Sequence, residues 1–119
     1  MLQTVAETFT GNGTNYIGTR LRGTILAVKV TADSNVTNSF DITLTGETTA
    51  IPILVDATVT SNTTTWWHVR ALVADGADGG AGSDAFACIP VVNERIQCVT
   101  ANAGTTGTIT VMVVYDANT

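Results

Sequence analysis

Apolar and polar residues alternate with a period of two along most of this chain. The pattern is clearest in residues 40–45, where Phe40, Ile42 and Leu44 are separated by polar residues. Successive side chains of a β-strand point to opposite faces of its sheet, so strict alternation indicates strands with one buried face. Apolar residues do not recur at the three- and four-residue spacing of an amphipathic helix. The pattern therefore predicts an all-β protein.

Clusters of Gly, Asn, Asp and Ser divide the alternating segments into about eight strands. The predicted strands comprise residues 2–10, 16–30, 40–45, 51–59, 65–73, 86–92, 95–101 and 108–115. Strands of this number and spacing are typical of a two-sheet antiparallel sandwich or jelly roll. A chain of 119 residues has the size of one such domain. We therefore expect a single β-sandwich domain over residues 1–119, of jelly-roll type.

The second strand changes its apolar face between Ile25 and Leu26. An extra residue in a strand reverses the side-chain register, so we expect a bulge near Gly23. The remaining alternation predicts the residues of the core. These are Phe40, Ile42, Leu44, Ile53, Val55, Trp67, Val69, Ile96, Ile109, Val111 and Val113.

Charged residues are few and mostly acidic. They make up 13% of the chain, and five Lys and Arg against ten Asp and Glu give a formal net charge of -5. Binding to nucleic acid or to an anionic membrane requires clustered cations, so neither partner is expected. We interpret Glu47, Glu94 and Arg95 as solvated turn charges, with Asn93-Glu94 forming a turn between two strands. So weakly charged a surface offers little resistance to self-association.

The first residues lack a basic segment followed by an apolar run, so no secretory signal is expected. In the cytoplasm thiols stay reduced, and we interpret Cys88 and Cys98 as free, buried thiols. The alternative is a disulfide between neighbouring strands, which their spacing permits. Two cysteines and a single histidine are too few for a structural zinc site within one chain.

Residues 75–84 are rich in Gly and Ala and form the one long predicted loop. Residues 79–87 match the nonapeptide of calcium-binding β-rolls, G-G-x-G-x-D-x-U-x. Those sites share each ion between stacked repeats, and this chain has one copy. We therefore expect no metal and no cofactor here, and a loop that is mobile or ordered by a partner. Asp75, Asp78 and Asp84 are the residues that would test this.

Trp66 and Trp67 are adjacent, so they must point to opposite faces of a strand. If Trp67 enters the core, then Trp66, His68 and Arg70 form an outward stripe of residue types that are favoured at interfaces. Alternatively, a loop of the same chain covers Trp66. Without a nucleophile or carboxylate placed around it by any local pattern, His68 does not predict catalysis, and we expect no enzyme.

Arg20 and Arg22 lie two residues apart and therefore on the same face of a strand. They either pair with acidic residues of a neighbouring subunit or extend into solvent. Together with Trp66, His68 and Arg70 they make up the predicted interface residues.

Three groups of segments carry a resemblance to a known family. They are residues 39–47 followed by 51–54, residues 67–71, and residues 93–99 followed by 107–111. With these, the chain from about residue 40 to 115 resembles the jelly-roll cement or decoration proteins on the heads of tailed bacteriophages. The Gly-rich loop departs from the pattern, so no contact residue is carried over from it.

The resemblance implies a structural virion protein on the capsid surface, made in the host cytoplasm. Such proteins often form homotrimers over junctions between major capsid subunits, so the implied partners are other copies of this chain and the major capsid protein. Their function is mechanical, because each bridge adds contacts that must break before the shell opens.

Two other functions use the same fold. A tail or head-fibre module would bind a host surface glycan, with an exposed Trp66 stacking on a sugar. A cupin-like enzyme would need a cluster of metal-binding histidines and carboxylates, and the single histidine argues against it.

Overall fold

Antiparallel strands make up most of the computed structural model, which describes residues 1–36, 39–69, 71–72, 86–87 and 89–117. The strands in this part of the chain are β1 (Leu2–Thr10), β2 (Gly13–Ala32), β3 (Ser39–Gly46), β4 (Pro52–Thr60), β5 (Thr63–His68), β6 (Ala71–Leu72), β7 (Phe86–Ala87), β8 (Ile89–Ala101) and β9 (Thr108–Ala117). No helix is found among these residues, so none there could cross a membrane. The prediction of an all-β protein is confirmed.

Seven strands belong to one antiparallel sheet in the order β1-β9-β2-β8-β3-β4, with β5 paired to β2. The long strand β2 joins two halves of this sheet. Its first part pairs with β8, while residues 27–32 lie between β9 and β5. One half is therefore β1-β9-β2-β5 and the other is β2-β8-β3-β4. Buried residues of both halves form one core cluster, so the curled sheet folds over itself as the expected sandwich of jelly-roll type.

Strand β2 contains the predicted bulge, three residues beyond its expected position. The register against β9 shifts between Ile25 and Ala27, which leaves Leu26 as the extra residue. Leu26 is 36% exposed, whereas Val28, two residues further along β2, is fully buried. Gly23 has another role, because a Cβ at this position would lie 2.1 Å from the carbonyl oxygen of Asp116. It allows β2 and β9 to approach closely at the bend.

All but one of the predicted core residues are at least partly buried, but the core is larger than the predicted set and includes residues of β2 such as Ile25 and Val28. The buried members of the predicted set are Phe40, Ile42, Leu44, Ile53, Ile96, Ile109, Val111 and Val113, while Trp67 and Val69 are partly buried and pack against the cluster. Val55 is 64% exposed, contrary to prediction. The cause is a bulge in β4, where Ile42 pairs with Ala57 but Leu44 pairs with Leu54. The extra residue interrupts the alternation and turns Val55 outward.

The predicted turn at Asn93-Glu94 is wrong, because β8 runs unbroken through it from Ile89 to Ala101. Leu21 pairs with Glu94 and Arg22 with Val92, so Asn93 is the extra residue of a bulge. Its φ of 52° lies in the left-handed region that Asn tolerates. What the sequence pattern divides into two strands is therefore one bent strand.

Cys98 is a free thiol with no exposed surface, as expected. Burial raises its pKa to about 12, which leaves it protonated and unreactive at neutral pH. Cys88, Arg70 and the predicted 75–84 loop with its calcium-like motif lie outside the described residues.

Candidate protein–protein interface

One broad surface presents alternate residues of four strands, and we call it the outer face. It is the side of the β1-β9-β2-β5 half that points away from the core. The pairing of the strands aligns its residues in three rows. The rows are Thr8-Thr110-Thr31-Thr64, Ala6-Met112-Lys29-Trp66 and Thr4-Val114-Ala27-His68. Lys29 is the one residue of these rows with a formal charge. Beyond the third row, Asp116 pairs with Leu2 and Thr24, and its carboxylate forms an ion pair with the N-terminal ammonium at 2.6 Å, so the outer face carries few charges.

Trp66 lies on the outer face and is 50% exposed, whereas its neighbour Trp67 packs against the core. The two indoles therefore divide between the faces as their adjacency predicts. The ammonium group of Lys29 lies 5.6 Å from the centroid of the Trp66 ring, within the range of a cation–π contact. This contact favours one orientation of the ring above β2. His68 is exposed next to it in β5.

The threonine row is held together by paired hydroxyls. The Oγ1 atoms of Thr8 and Thr110 are 2.9 Å apart, and those of Thr31 and Thr64 are 3.2 Å apart. Each pair joins two neighbouring strands by a side-chain hydrogen bond. Because the hydroxyls are already partnered, burying this row against another surface would cost less than burying free hydroxyls.

The other two predicted interface residues that the structure describes, Arg20 and Arg22, lie elsewhere. Both belong to the part of β2 that pairs with β8, on the opposite half of the sandwich. Arg20 Nη1 donates a hydrogen bond to the carbonyl oxygen of Asn93 at 2.8 Å, so it supports the bulge of β8. Arg22 is exposed and pairs with Val92, which is 66% exposed. The structure thus separates the predicted interface residues into two regions.

Sequence reasoning missed the most elaborate polar site, which is centred on Glu94. This carboxylate is 1% exposed, and the prediction that it is a solvated turn charge is wrong. Its Oε1 accepts hydrogen bonds from the backbone N–H groups of Thr48 and Thr49 at 3.1 and 3.2 Å, and Thr49 Oγ1 donates to Oε2 at 2.9 Å. A Cβ at Gly46 would lie 2.2 Å from Oε1, so a side chain at this position would displace the carboxylate from its hydrogen bonds.

Two opposing effects set the pKa of Glu94. Burial alone would raise it, because the charged form loses water. The hydrogen bonds from Thr49 and Thr48, with the nearby positive charge of Arg20, outweigh burial and hold the pKa of this carboxyl below its usual value. Glu94 is therefore an anion at neutral pH that fastens the β3–β4 turn onto β8.

Of the other two predicted turn charges, Glu47 does lie in the β3–β4 turn, but Arg95 lies within β8 and the two form an ion pair. Arg95 Nε donates to Glu47 Oε2 at 2.5 Å, and the two side chains are 41% and 21% exposed. The guanidinium group lies 4.1 Å from the centroid of the Tyr16 ring. These contacts tie β2, β8 and the β3–β4 turn together on the half opposite the outer face.

The described residues contain no group of three or more His, Cys, Asp or Glu residues that could hold a metal ion. No protein-family model matches the chain, and no curated protein matches it.

Several solved structures share the fold. A chain of the cyanophage Pam1 capsid asymmetric unit is 15% identical with a TM-score of 0.62, covering 98% of this chain and 85% of that one. A chain of the acid-stable capsid of Helicobacter pylori bacteriophage KHP30 is 17% identical with a TM-score of 0.52, covering 96% and 86%. A chain from disulfide-linked pili of Bacillus endospore appendages is 11% identical with a TM-score of 0.52, covering 99% and 88%. At these identities the likeness shows the fold.

Proposed function

We propose that this protein is a structural component of a bacteriophage virion, a cement or decoration protein that binds between major capsid subunits and stabilises the head. It acts as a single domain on the capsid surface, as a homotrimer, after synthesis in the host cytoplasm. The observation that carries the proposal is the outer face, a wide and weakly charged surface with a half-exposed Trp66. The shared fold with chains of two phage capsid structures supports it.

The outer face has the composition of a contact surface. Aromatic residues and methionine are enriched at the centres of protein interfaces, whereas charged residues are depleted there. Trp66 and Met112 lie in one row, and the row beside it places Val114 next to Ala27. Covering the exposed half of the indole would contribute about 1–2 kcal/mol. This is small for one copy, but a shell presents many copies of each junction, and once one contact forms the next is effectively intramolecular.

The position of the protein in the virion tests this proposal directly. An electron-microscopy map of the purified particle should place the chain over junctions between capsid subunits, with a copy number that matches those junctions. Particles that lack it should release their DNA at lower temperature or milder osmotic shock. Unchanged particle stability, or a position in the tail, would contradict the cement function.

A second candidate function is a fibre module that binds a host glycan. An open depression of about 160 Å³ is lined by Thr31, Ala32, Asn62, Thr63 and Thr64, and Thr64 lies two residues from Trp66 in β5. An aromatic ring next to hydroxyl and amide groups is a suitable surface for a sugar. Glycan binding by the isolated protein that is abolished in Trp66→Ala would favour this function over the cement function.

A further inference from the structure

Strand β1 forms one end of the sheet, and in the described part of the chain it pairs only with β9. Its nine residues keep an unbroken register with β9 from Leu2 to Thr10. The other side of β1 therefore presents a row of backbone donors and acceptors that is free to pair with another strand. An edge strand of this length and regularity is a template for strand addition.

Two of the other edges of the described sheet are protected in ways that β1 is not, and the remaining edge strand, β5, has six residues against nine in β1. Strand β4 begins with Pro52 and carries the bulge at Asp56, whose φ is 52°. The free part of β2 contains Gly18 and irregular pairing with β8 up to Leu21. Proline, bulges and twisted segments are the usual protection against edge pairing. Strand β1 has no proline, no bulge and one charged side chain, Glu7.

Strand β1 is also accessible. Seven of its nine residues are exposed, including Leu2 at 67%. Val5 and Phe9 are partly buried and pack against the core, which holds the strand in place. The edge is therefore both fixed in position and open to solvent.

We infer that β1 is the site at which two copies of this protein pair, edge to edge and antiparallel, about a two-fold axis at Ala6. Antiparallel pairing about a residue keeps each face of the sheet continuous, and Ala6 is the middle residue of the nine. Thr4 then lies opposite Thr8 of the partner subunit, and Val5 lies opposite Glu7 of the partner subunit. Threonine pairs favour β-pairing, and the two Glu7 side chains do not face each other.

The pairing would join the two outer faces into one continuous eight-stranded layer. An isologous contact of this kind closes on itself and does not lead to fibres. It is independent of how many copies meet at other surfaces, and it goes beyond the proposed capsid function because it is a property of the isolated protein.

A charge-reversal experiment tests the pairing. One variant carries Thr4→Lys and Thr8→Lys, and a second carries Thr4→Glu and Thr8→Glu. Each places like charges opposite each other across the axis, so its mass by light scattering should be half that of the wild-type protein. Mixing the two variants should restore the wild-type mass, because each lysine then faces a glutamate. The matched control is Thr58→Lys with Thr60→Lys, two exposed threonines of β4 on the other half of the sandwich, which should leave the mass unchanged.

A disulfide cross-link tests the register in a Cys88→Ser background. Ala6→Cys should give a disulfide-linked dimer in the native protein, whereas Thr4→Cys should not, because its counterpart across the axis is Thr8. This cross-linking experiment tests the pairing even if the charged variants fail to fold. A wild-type protein that is strictly monomeric, charged variants of unchanged mass, or equal cross-linking of the two cysteine variants would each overturn the inference. None of these results would bear on the position of the protein in the virion.

Discussion

Glu94 shows how one residue can be placed by long-range contacts that no local pattern contains. In the sequence it stands between Asn93 and Arg95 and looks like part of a polar turn. In the structure it accepts hydrogen bonds from Thr48 and Thr49, which lie 46 and 45 residues earlier in the chain. A buried carboxylate is tolerated because its oxygens receive several hydrogen bonds.

We predict that Glu94→Gln lowers the free energy of unfolding by about 1–3 kcal/mol, the usual cost of disrupting a buried charged hydrogen-bond group. The amide keeps the size of the side chain but replaces one acceptor oxygen by a donor. Urea denaturation measures the change. The matched control is Glu47→Gln, which removes a partly exposed ion pair and should cost less than about 1 kcal/mol. Equal losses in the two variants would contradict the special position of Glu94.

The pH dependence of stability follows from the same carboxyl. The folded-state pKa of Glu94 lies below the ordinary value of 4.5, so the unfolded chain binds its proton first as the pH falls. The contribution of Glu94 is therefore present above pH 4.5 and is lost as the pH decreases through the folded pKa. Between neutral pH and the acid range, the free energy of unfolding should fall more steeply with decreasing pH for the wild type than for Glu94→Gln. Parallel pH profiles would exclude this source of acid sensitivity.

At the scale of strands, bulges account for the errors of sequence reading. Periodicity identifies which segments form strands, and β1 begins and ends where predicted. It fails at Asn93 and Asp56, each of which has positive φ and sits where a pairing register shifts. Asn and Asp adopt a left-handed backbone more readily than most residues, but the chain has many of them, so their presence alone does not locate a bulge.

The bulge of β4 predicts how substitutions at Asp56 affect stability. Its φ of 52° costs about 1–2 kcal/mol for a residue with an ordinary side chain and nothing for glycine. We expect Asp56→Gly to preserve or raise stability and Asp56→Val to lower it, both measured by thermal unfolding. Val55→Thr is the control, because this side chain is 64% exposed and should change stability by less than about 0.5 kcal/mol. A stable Asp56→Val protein would show that the bulge does not need this conformation.

At the scale of the whole molecule, the two halves of the sandwich differ in what they offer a partner. The outer face carries Trp66 and little charge, whereas the opposite half carries Arg20, Arg22 and the Arg95–Glu47 pair. If the protein binds a capsid through the outer face, changes there should affect the particle and leave the fold intact.

We therefore predict that Trp66→Ala lowers the occupancy of the protein on particles and the resistance of those particles to heat. Its free energy of unfolding should change much less than for a core substitution, because half of the indole is already exposed. The matched control is Val55→Ala, which removes an exposed apolar side chain of β4 on the opposite half. Gel densitometry on purified particles measures the occupancy of each variant, which should fall for Trp66→Ala and stay unchanged for Val55→Ala. Loss of occupancy in the Val55 variant alone would place the contact on the opposite half.

Alternation is a local property of each strand, and it is enough to predict the all-β class, the approximate strands and a part of the core. It also determined that Trp66 and Trp67 point to opposite faces, since adjacent residues of a strand must do so. Strand pairing in the folded chain sets the strand order, the positions of the bulges, the burial of Glu94 and the separation of Arg20 and Arg22 from the Trp66 stripe. These depend on which strands pair and in which register, and that depends on contacts between residues far apart in the chain.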